Sequence, residues 1–322
     1  MKAIVQGRYG SADVLELRET EDPKVEADDV LLRVGAAGCG PDVWHLMTGR
    51  PYFVRLTPGF RKLRKGVRGR DAAGTVEAVG ANVTGFAVGD GVMGIAEGSF
   101  AELAVASPDK LVPKPDRLSF EQAAAAPISG LTALQALRDV ADLQRGQTVL
   151  VIGAGGGVGT LTVQIAKALG ATVTGVCSAS KAELVRSIGA DDVIDYARDD
   201  FADGSRHWDV IVDTAGRRSL SVLRRALARK GTLVIVGGEG GGRWTAGFFR
   251  QVLRAPLLSV FTAQRLRVIT KERAEDLKEI AHLMESRGVT PVVGGTYALA
   301  DAADALRELE RGHARGKIVI TI

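Results

Sequence analysis

Cysteine is scarce in this chain: Cys39 and Cys177 are the two among 322 residues. So few thiols exclude a disulfide framework and a four-cysteine structural zinc lobe, and they suit a reducing compartment. Aromatic residues amount to 5%. No apolar run approaches the roughly 20 residues that span a bilayer. The opening MKAIVQGRYG is too polar for a signal peptide. A soluble cytoplasmic protein with no membrane partner is therefore expected. The formal net charge is +4, too modest at this length to argue for nucleic acid.

Glycine, by contrast, is abundant at 40 residues against 10 prolines, which fits many tight turns between regular elements. The length suits about two domains. The first 120 residues read as β-rich. Short runs at 29–34 (DVLLRV), 74–79 (GTVEAV) and 91–95 are punctuated by Gly, Pro, Asn and Asp, a pattern that suits a closed or partly closed antiparallel barrel. Near residue 120 the character changes. Ser119 is a plausible N-cap with Gln122 three residues on. Strands are then expected at 148–152, 172–176, 193–195, 209–213, 232–236 and 257–261. Helices are expected at 158–169, 181–188 and 219–228. Apolar strands alternating with helices imply a parallel sheet covered on both faces, a doubly wound nucleotide-binding domain. The tail from 268 shows one charged helix, 271–287, and a final strand, 317–322.

The segment 149–159 is strand, glycines, helix. Ala154, Gly156 and Gly159 take the spacing of a dinucleotide fingerprint with alanine first. Small residues there let the turn reverse and the backbone approach a pyrophosphate. The N–H groups around Gly155, Gly157 and Val158 would then face the phosphate at the helix start. The second strand runs out as Val176-Cys177-Ser178-Ala179-Ser180-Lys181. It lacks the acid that holds a ribose 2′-hydroxyl. Ser178, Ser180 and Lys181 suit a 2′-phosphate instead, so NADPH is the expected cofactor. A plainer role is open beside this one, with Ser180 capping the next helix and Lys181 in solvent.

Several separated motifs carry a family resemblance: Gly69-Arg70-Asp71-Ala72-Ala73-Gly74, Phe86-x-x-Gly89-Asp90-x-Val92, Gly98-Ser99-Phe100-Ala101-Glu102, Gly130-Leu131-Thr132-Ala133, Gly155–Gly159, Gly189-Ala190-Asp191 and Ala314-Arg315-Gly316-Lys317. Over essentially its whole length the chain resembles the medium-chain dehydrogenase/reductase superfamily, in its zinc-free quinone oxidoreductase branch. The resemblance implies a GroES-like catalytic domain, 1–120 with 268–322, into which a Rossmann domain, 121–267, is inserted. It implies an active site in the cleft between them, and a homodimer joined through 257–261. It also places Thr132, Thr214, Ala215, Gly237, Gly238 and Lys317 at the cofactor, with Tyr196 on its adenosine half. Zinc-dependent relatives hold their metal with a cysteine, the histidine of Gly-His-Glu and a further ligand. Here Cys39-Gly40-Pro41-Asp42 resembles the cysteine segment, but Gly69-Arg70-Asp71 replaces the histidine. A guanidinium stays protonated and cannot ligate zinc, so no metal is expected.

Without a Lewis acid, hydride transfer favours an acceptor that is already electrophilic, a quinone or an α,β-unsaturated carbonyl. The protein would supply orientation and hydrogen-bond donors. Tyr52 is the candidate donor, or equally an amphipathic loop residue. Asp42, Trp44, Tyr52 and Phe261 are the candidate cleft residues. The stretch 61–70 carries Arg61, Lys62, Arg64, Lys65, Arg68 and Arg70, and reads as a solvated loop or as a lid attracting anions. Two alternatives stay open: a metal-independent alcohol or aldehyde reductase, and a non-catalytic NADPH-binding protein.

Overall fold

The structure is a computed structural model that describes residues 1–50, 52, 66–237, 262–268 and 273–322. The chain divides into two compact units: Met1–Leu131 with Arg273–Ile322, and Thr132–Glu272. No helix among the described residues is long and apolar enough to cross a membrane.

The first unit begins with β1 (Lys2–Gln6), β2 (Leu15–Glu19), β3 (Val30–Cys39), helix α1 (Pro41–Thr48), β4 (Gly66–Val67), β5 (Asp71–Val79), β6 (Gly91–Ile95), β7 (Leu103–Ala106) and β8 (Leu111–Pro113). Helices α2 (Phe120–Ala124) and α3 (Pro127–Gln135) follow. Ser119 and Gln122 form the capping box that their spacing suggests. The expected boundary at 120 moves to 131 because α2 packs on β3 and β5. The start of α3 is also tied there, with Ile128 N donating to Asp71 Oδ1 at 2.9 Å.

The second unit alternates strand and helix: β9 (Thr148–Ile152), α4 (Gly157–Ala168), β10 (Thr172–Cys177), α5 (Ala182–Ser187), β11 (Asp192–Asp195), β12 (Trp208–Asp213), α6 (Leu220–Ala226), β13 (Leu227–Ile235) and β14 (Arg265–Val268). The strands lie in the order β11-β10-β9-β12-β13-β14, all parallel. This is the doubly wound order, with its reversal between β9 and β12, where dinucleotides bind beyond the carboxyl ends. Leu150, Ile152, Val176, Ile211, Leu223 and Leu233 pack in its core. Apolar β-branched runs form central strands because both faces are covered. Residues 257–261, expected as the sixth strand, lie outside the described residues. Arg265–Val268 takes that place, in register with β13.

The chain then returns to the first unit with α7 (Leu277–Arg287), β15 (Val293–Ala298), α8 (Ala302–Arg311) and β16 (Lys317–Thr321). The unit thus resumes at 273, and its tail holds a strand and a helix, β15 and α8, beyond those expected. The main sheet runs β15-β16-β3-β5-β6-β8, with β7 also on β3. Strands β1, β2 and β4 form a smaller antiparallel sheet. Leu32, Phe100, Ile318 and Leu306 lie in the core of this unit. A parallel-sheet Rossmann unit inserted into a GroES-like unit is the architecture expected above.

Candidate functional site

The turn between β9 and α4 is built by its glycines. Gly153 has φ +84°, which glycine adopts without steric cost. Gly153 N and Ala154 N donate to Val176 O at 3.0 and 3.1 Å, tying the turn to the second strand. A Cβ on Gly159 would lie 2.1 Å from Gly153 O, so the helix could not approach the turn. Gly156 differs: its nearest neighbour would stand 3.5 Å away. Space is left there on the outer side of the backbone. The helix closes with Thr160 N donating to Gly156 O at 2.9 Å. The N–H groups of Gly157, Val158 and Gly159 precede that bond and form the electropositive start of α4.

The end of β10 lies against this turn. A Cβ on Gly155 would meet Lys181 Cδ at 2.7 Å, so the aliphatic stem of Lys181 lies along the glycine. Ser178 and Ser180 share a hydrogen bond at 3.0 Å. Ser180 does not cap the next helix, as one reading of the sequence had it. Helix α5 begins one residue later, with Lys181 at its N-cap and no side-chain cap bond. An acid, Asp195, stands on the neighbouring strand in register with Cys177. Its carboxylate accepts from Ala197 N at 3.1 Å and pairs with Arg198 at 3.9 Å. Tyr196 follows, 53% exposed, and its N–H donates to Cys177 O.

Thr214, Ala215 and Gly237 meet the glycine turn at the carboxyl ends of β9, β12 and β13. Thr214 Oγ1 donates to Ile152 O at 2.8 Å, so this hydroxyl joins two strand ends. A Cβ on Gly237 would stand 2.3 Å from Thr214 O. Beneath them Asp213, fully buried, accepts at Oδ1 from Ala215 N and Gly216 N at 3.1 and 2.9 Å. Its Oδ2 is buried and has no hydrogen-bond partner among the described residues. Burial pushes this carboxyl up, against the pull of the two N–H donors. Nothing in the sequence singled out Asp213. Thr132 is buried near the start of the same unit. Gly238 and Phe261 lie outside the described residues.

The first unit gathers a polar node around Cys39. Lys317 Nζ lies 2.8 Å from Asp71 Oδ2 and 3.3 Å from Ser129 Oγ. The two charged side chains are 5% and 1% exposed. Burial opposes the ammonium, but Asp71 and Asp42 outweigh it and hold Lys317 above the usual lysine range. Lys317, expected at the cofactor, has its ammonium paired with Asp71 inside the first unit, as a buried cation requires. A Cβ on Gly40 would meet Asp42 Oδ1 at 2.5 Å and Lys317 Nζ at 2.8 Å, so glycine leaves the gap these groups share.

Arg70, standing where zinc enzymes have histidine, donates to Glu97 Oε1 at 3.1 Å and lies 3.5 Å from Asp42 Oδ2. Cys39 is fully buried, and burial pushes its thiol up to about 12. Among the described residues, no group of three His, Cys, Asp or Glu is placed to hold a metal. Trp44 packs edge-on against His45 with ring centroids 5.1 Å apart. Its Nε1 is buried and has no acceptor among the described residues. Tyr52 is half-buried. Of the basic loop, 61–65 lie outside the described residues, while Arg68 is buried and Arg70 half-buried.

Residues 26–116 match the alcohol dehydrogenase GroES-like domain, and residues 188–320 match the zinc-binding dehydrogenase model. The chloroplast envelope quinone oxidoreductase homolog of Arabidopsis thaliana is 31% identical, over 99% of this chain and 98% of its own length. The NADPH-dependent alkenal/one oxidoreductase, chloroplastic, of the same plant is 32% identical, over 99% of this chain and 79% of its own. The crystal structure of Escherichia coli quinone oxidoreductase complexed with NADPH superposes with a TM-score of 0.85 at 26% identity, covering 100% of both chains.

Proposed function

This chain belongs to the medium-chain dehydrogenase/reductase superfamily, among its quinone oxidoreductase-like members, and is an NAD(P)H-dependent oxidoreductase; we propose that it uses NADPH to reduce a quinone or an α,β-unsaturated carbonyl without a metal. The observation that carries the cofactor choice is the stem of Lys181 lying on Gly155, beside the Ser178–Ser180 pair. An ammonium and two hydroxyls next to a phosphate-binding turn favour a 2′-phosphate. Asp195, the nearby acid, is occupied by Ala197 N and Arg198.

NADPH, when bound, supplies the hydride. The chain's own residues do the rest. The N–H groups at the start of α4 receive the pyrophosphate. Gly156 lets the backbone come close to it, and Gly237 keeps the end of β13 narrow. On the first unit, the Tyr52 hydroxyl is the donor for an acceptor oxygen. Such a donor stabilises the negative charge that hydride delivers. The metal-free reading rests on the donor set: Arg70, held by two carboxylates, stands where the zinc enzymes have histidine. A cytoplasmic homodimer completes the proposal.

The test is NADPH oxidation with a quinone, an enone and an aldehyde, each with and without chelator. Turnover of the quinone or the enone, unchanged by chelator, is expected. Loss of activity on chelation would overturn the metal-free reading. Turnover of the aldehyde alone would replace the acceptor class. No turnover alongside NADPH binding would mark a non-catalytic protein.

A further inference from the structure

Asp71 is buried, and both of its carboxylate oxygens are engaged. Oδ2 pairs with Lys317 Nζ at 2.8 Å, while Oδ1 accepts from Ile128 N at 2.9 Å. The ion pair needs the first contact alone. The second leaves the sheet for the opening turn of α3 (Pro127–Gln135), and that turn has no cap of its own. Gly130 N donates to Ala126 O at 2.6 Å, which makes Ala126 the residue at the N-cap position. An alanine side chain offers no acceptor there. Pro127 follows and brings no N–H. Ile128 N is then the first donor of the helix, and Asp71 supplies its acceptor from 57 positions away. A carboxylate suits that place, because a helix start is electropositive. Lys317 Nζ touches the next residue of the same turn, 3.3 Å from Ser129 Oγ.

The mount of this cap is rigid. Asp71 pairs with Gly38 on one side and Ile95 on the other, and Ser99 Oγ donates to its carbonyl at 2.9 Å. The flank of α3 is fixed as well. A Cβ on Gly130 would stand 3.1 Å from Ile280 Cγ2, so the helix packs close against α7. Its far end is wound more widely. Ala141 N donates to Ala136 O, five residues back, and Asp142 takes a left-handed φ of +54°. Such wide turns frequently accompany functional sites, and they take up slack instead of setting register. The axial position of α3 is therefore set at its beginning.

Thr132 stands one turn after Ile128, about 6 Å along the axis and on the same side. It is the residue with which the second unit begins. We propose, resting on the reading of Thr132 as a nicotinamide contact, that Asp71 is a positioning residue for hydride transfer: by capping α3 from β5, with Lys317 orienting its carboxylate, it holds Thr132 at the nicotinamide. The buried pair then does more than stabilise the first unit. A reacting centre misplaced by ~1 Å loses up to ~100-fold in rate. Loss of the cap is therefore felt at the nicotinamide and not at the adenosine half of the cofactor.

The test compares two double variants that lack both buried charges, so neither leaves one unpaired. Asp71→Asn/Lys317→Met keeps an oxygen for Ile128 N. Asp71→Val/Lys317→Met does not, and valine suits a strand. Each is titrated with NADPH and with 2′-phospho-ADP-ribose, which lacks the nicotinamide (NADH and ADP-ribose serve likewise if NADH binds tighter). The ratio of the two dissociation constants reports the nicotinamide seat alone. It should be poorer in the valine variant than in the asparagine variant by roughly 2- to 12-fold, the equivalent of one hydrogen bond, with 2′-phospho-ADP-ribose bound alike by both. Single-turnover oxidation of bound NADPH by a quinone or an enone should be roughly 10- to 100-fold slower in the valine variant. Equal ratios overturn the proposal. So does a loss shared by NADPH and the fragment, which marks a stabilising cap and nothing more. Thr132→Val tests the underlying reading separately: an unchanged ratio there removes Thr132 from the nicotinamide, whereas a changed one beside equal ratios in the double variants removes only the role of Asp71. If circular dichroism shows the valine protein unfolded, Asp71→Ala/Lys317→Met replaces it. Amide exchange in wild type is a further check, since rapid exchange at Ile128 would show that the cap is not made.

Discussion

Lys317 Nζ stands 2.8 Å from Asp71 Oδ2, joining the last strand of the chain to β5 inside the core of the first unit. Both groups are buried, so removing one partner leaves an uncompensated charge. Lys317→Met should lower the unfolding free energy by about 3–5 kcal/mol. Asp71→Asn should cost a similar amount, and the double variant clearly less than the two single losses together. Urea titrations of the four proteins check this. The pH dependence has a defined sign. Because Lys317 lies above its ordinary value in the folded state, its contribution is complete below the usual lysine range and fades as pH rises through the folded value. Wild type should show that alkaline loss, and Lys317→Met should not.

Two glycines of the phosphate turn should fail in different ways. Gly159→Ala sets a Cβ 2.1 Å from Gly153 O and 2.9 Å from Ala154 Cα. The helix must move off the strand, and a loss of about 1–3 kcal/mol in stability is expected, with weaker NADPH binding as a consequence. Gly156→Ala meets nothing within 3.5 Å, so its melting temperature should stay near wild type. Its methyl group intrudes on the ligand side, and NADPH affinity should fall by roughly 10-fold, about 1.4 kcal/mol. Thermal melts paired with fluorescence titration separate the cases. A Gly156→Ala protein binding NADPH like wild type would remove the pyrophosphate from this position.

The parallel sheet was legible because its strands announce themselves. Runs such as 148–152 and 209–213 are β-branched, apolar and bounded by turns, as burial on both faces demands. The tail was harder. Strand β15 reads VGGTYA and alternates between half-buried and exposed, so its pattern is faint. Helix α8 buries Ala302, Ala305 and Leu306, and two of these are too small to mark a face. The boundary after residue 120 was hidden because α2 belongs to the first unit by packing, which composition does not record. The cofactor turn could be read from residue spacing, since its demands are local. The partner of Lys317 could not, because Asp71 lies 246 positions away. Asp213 and Trp44 likewise show their unsatisfied atoms only when the chain is folded around them.

Cofactor choice should turn on the end of β10. Lys181→Ala removes an ammonium whose stem lies on Gly155, and charged hydrogen bonds are worth about 1.5–3 kcal/mol. NADPH affinity should fall by roughly 10- to 100-fold while NADH affinity changes little. Ser178→Asp adds repulsion toward a 2′-phosphate and an acceptor for a 2′-hydroxyl, so the preference should reverse. Dissociation constants for both nucleotides decide it. Unchanged preference in both variants would refute the assignment of these residues to a 2′-phosphate.

Asp213 lends itself to a pH experiment. Its Oδ2 is buried with no partner among the described residues, and burial holds its carboxyl above the ordinary value of 3.8. The folded state therefore binds this proton more tightly than the unfolded chain does. Linkage then requires stability to fall as pH rises from the unfolded value to the folded one. Asp213→Asn preserves an oxygen for Ala215 N and Gly216 N but cannot ionise. Its stability relative to wild type should rise through that same window and level off above it. Melting curves from pH 4 upward, at fixed ionic strength, measure the difference. A difference that is flat with pH would show that Asp213 titrates alike in both states. One that declines with pH would show that the carboxylate is stabilised, with Oδ2 satisfied by a donor in solution.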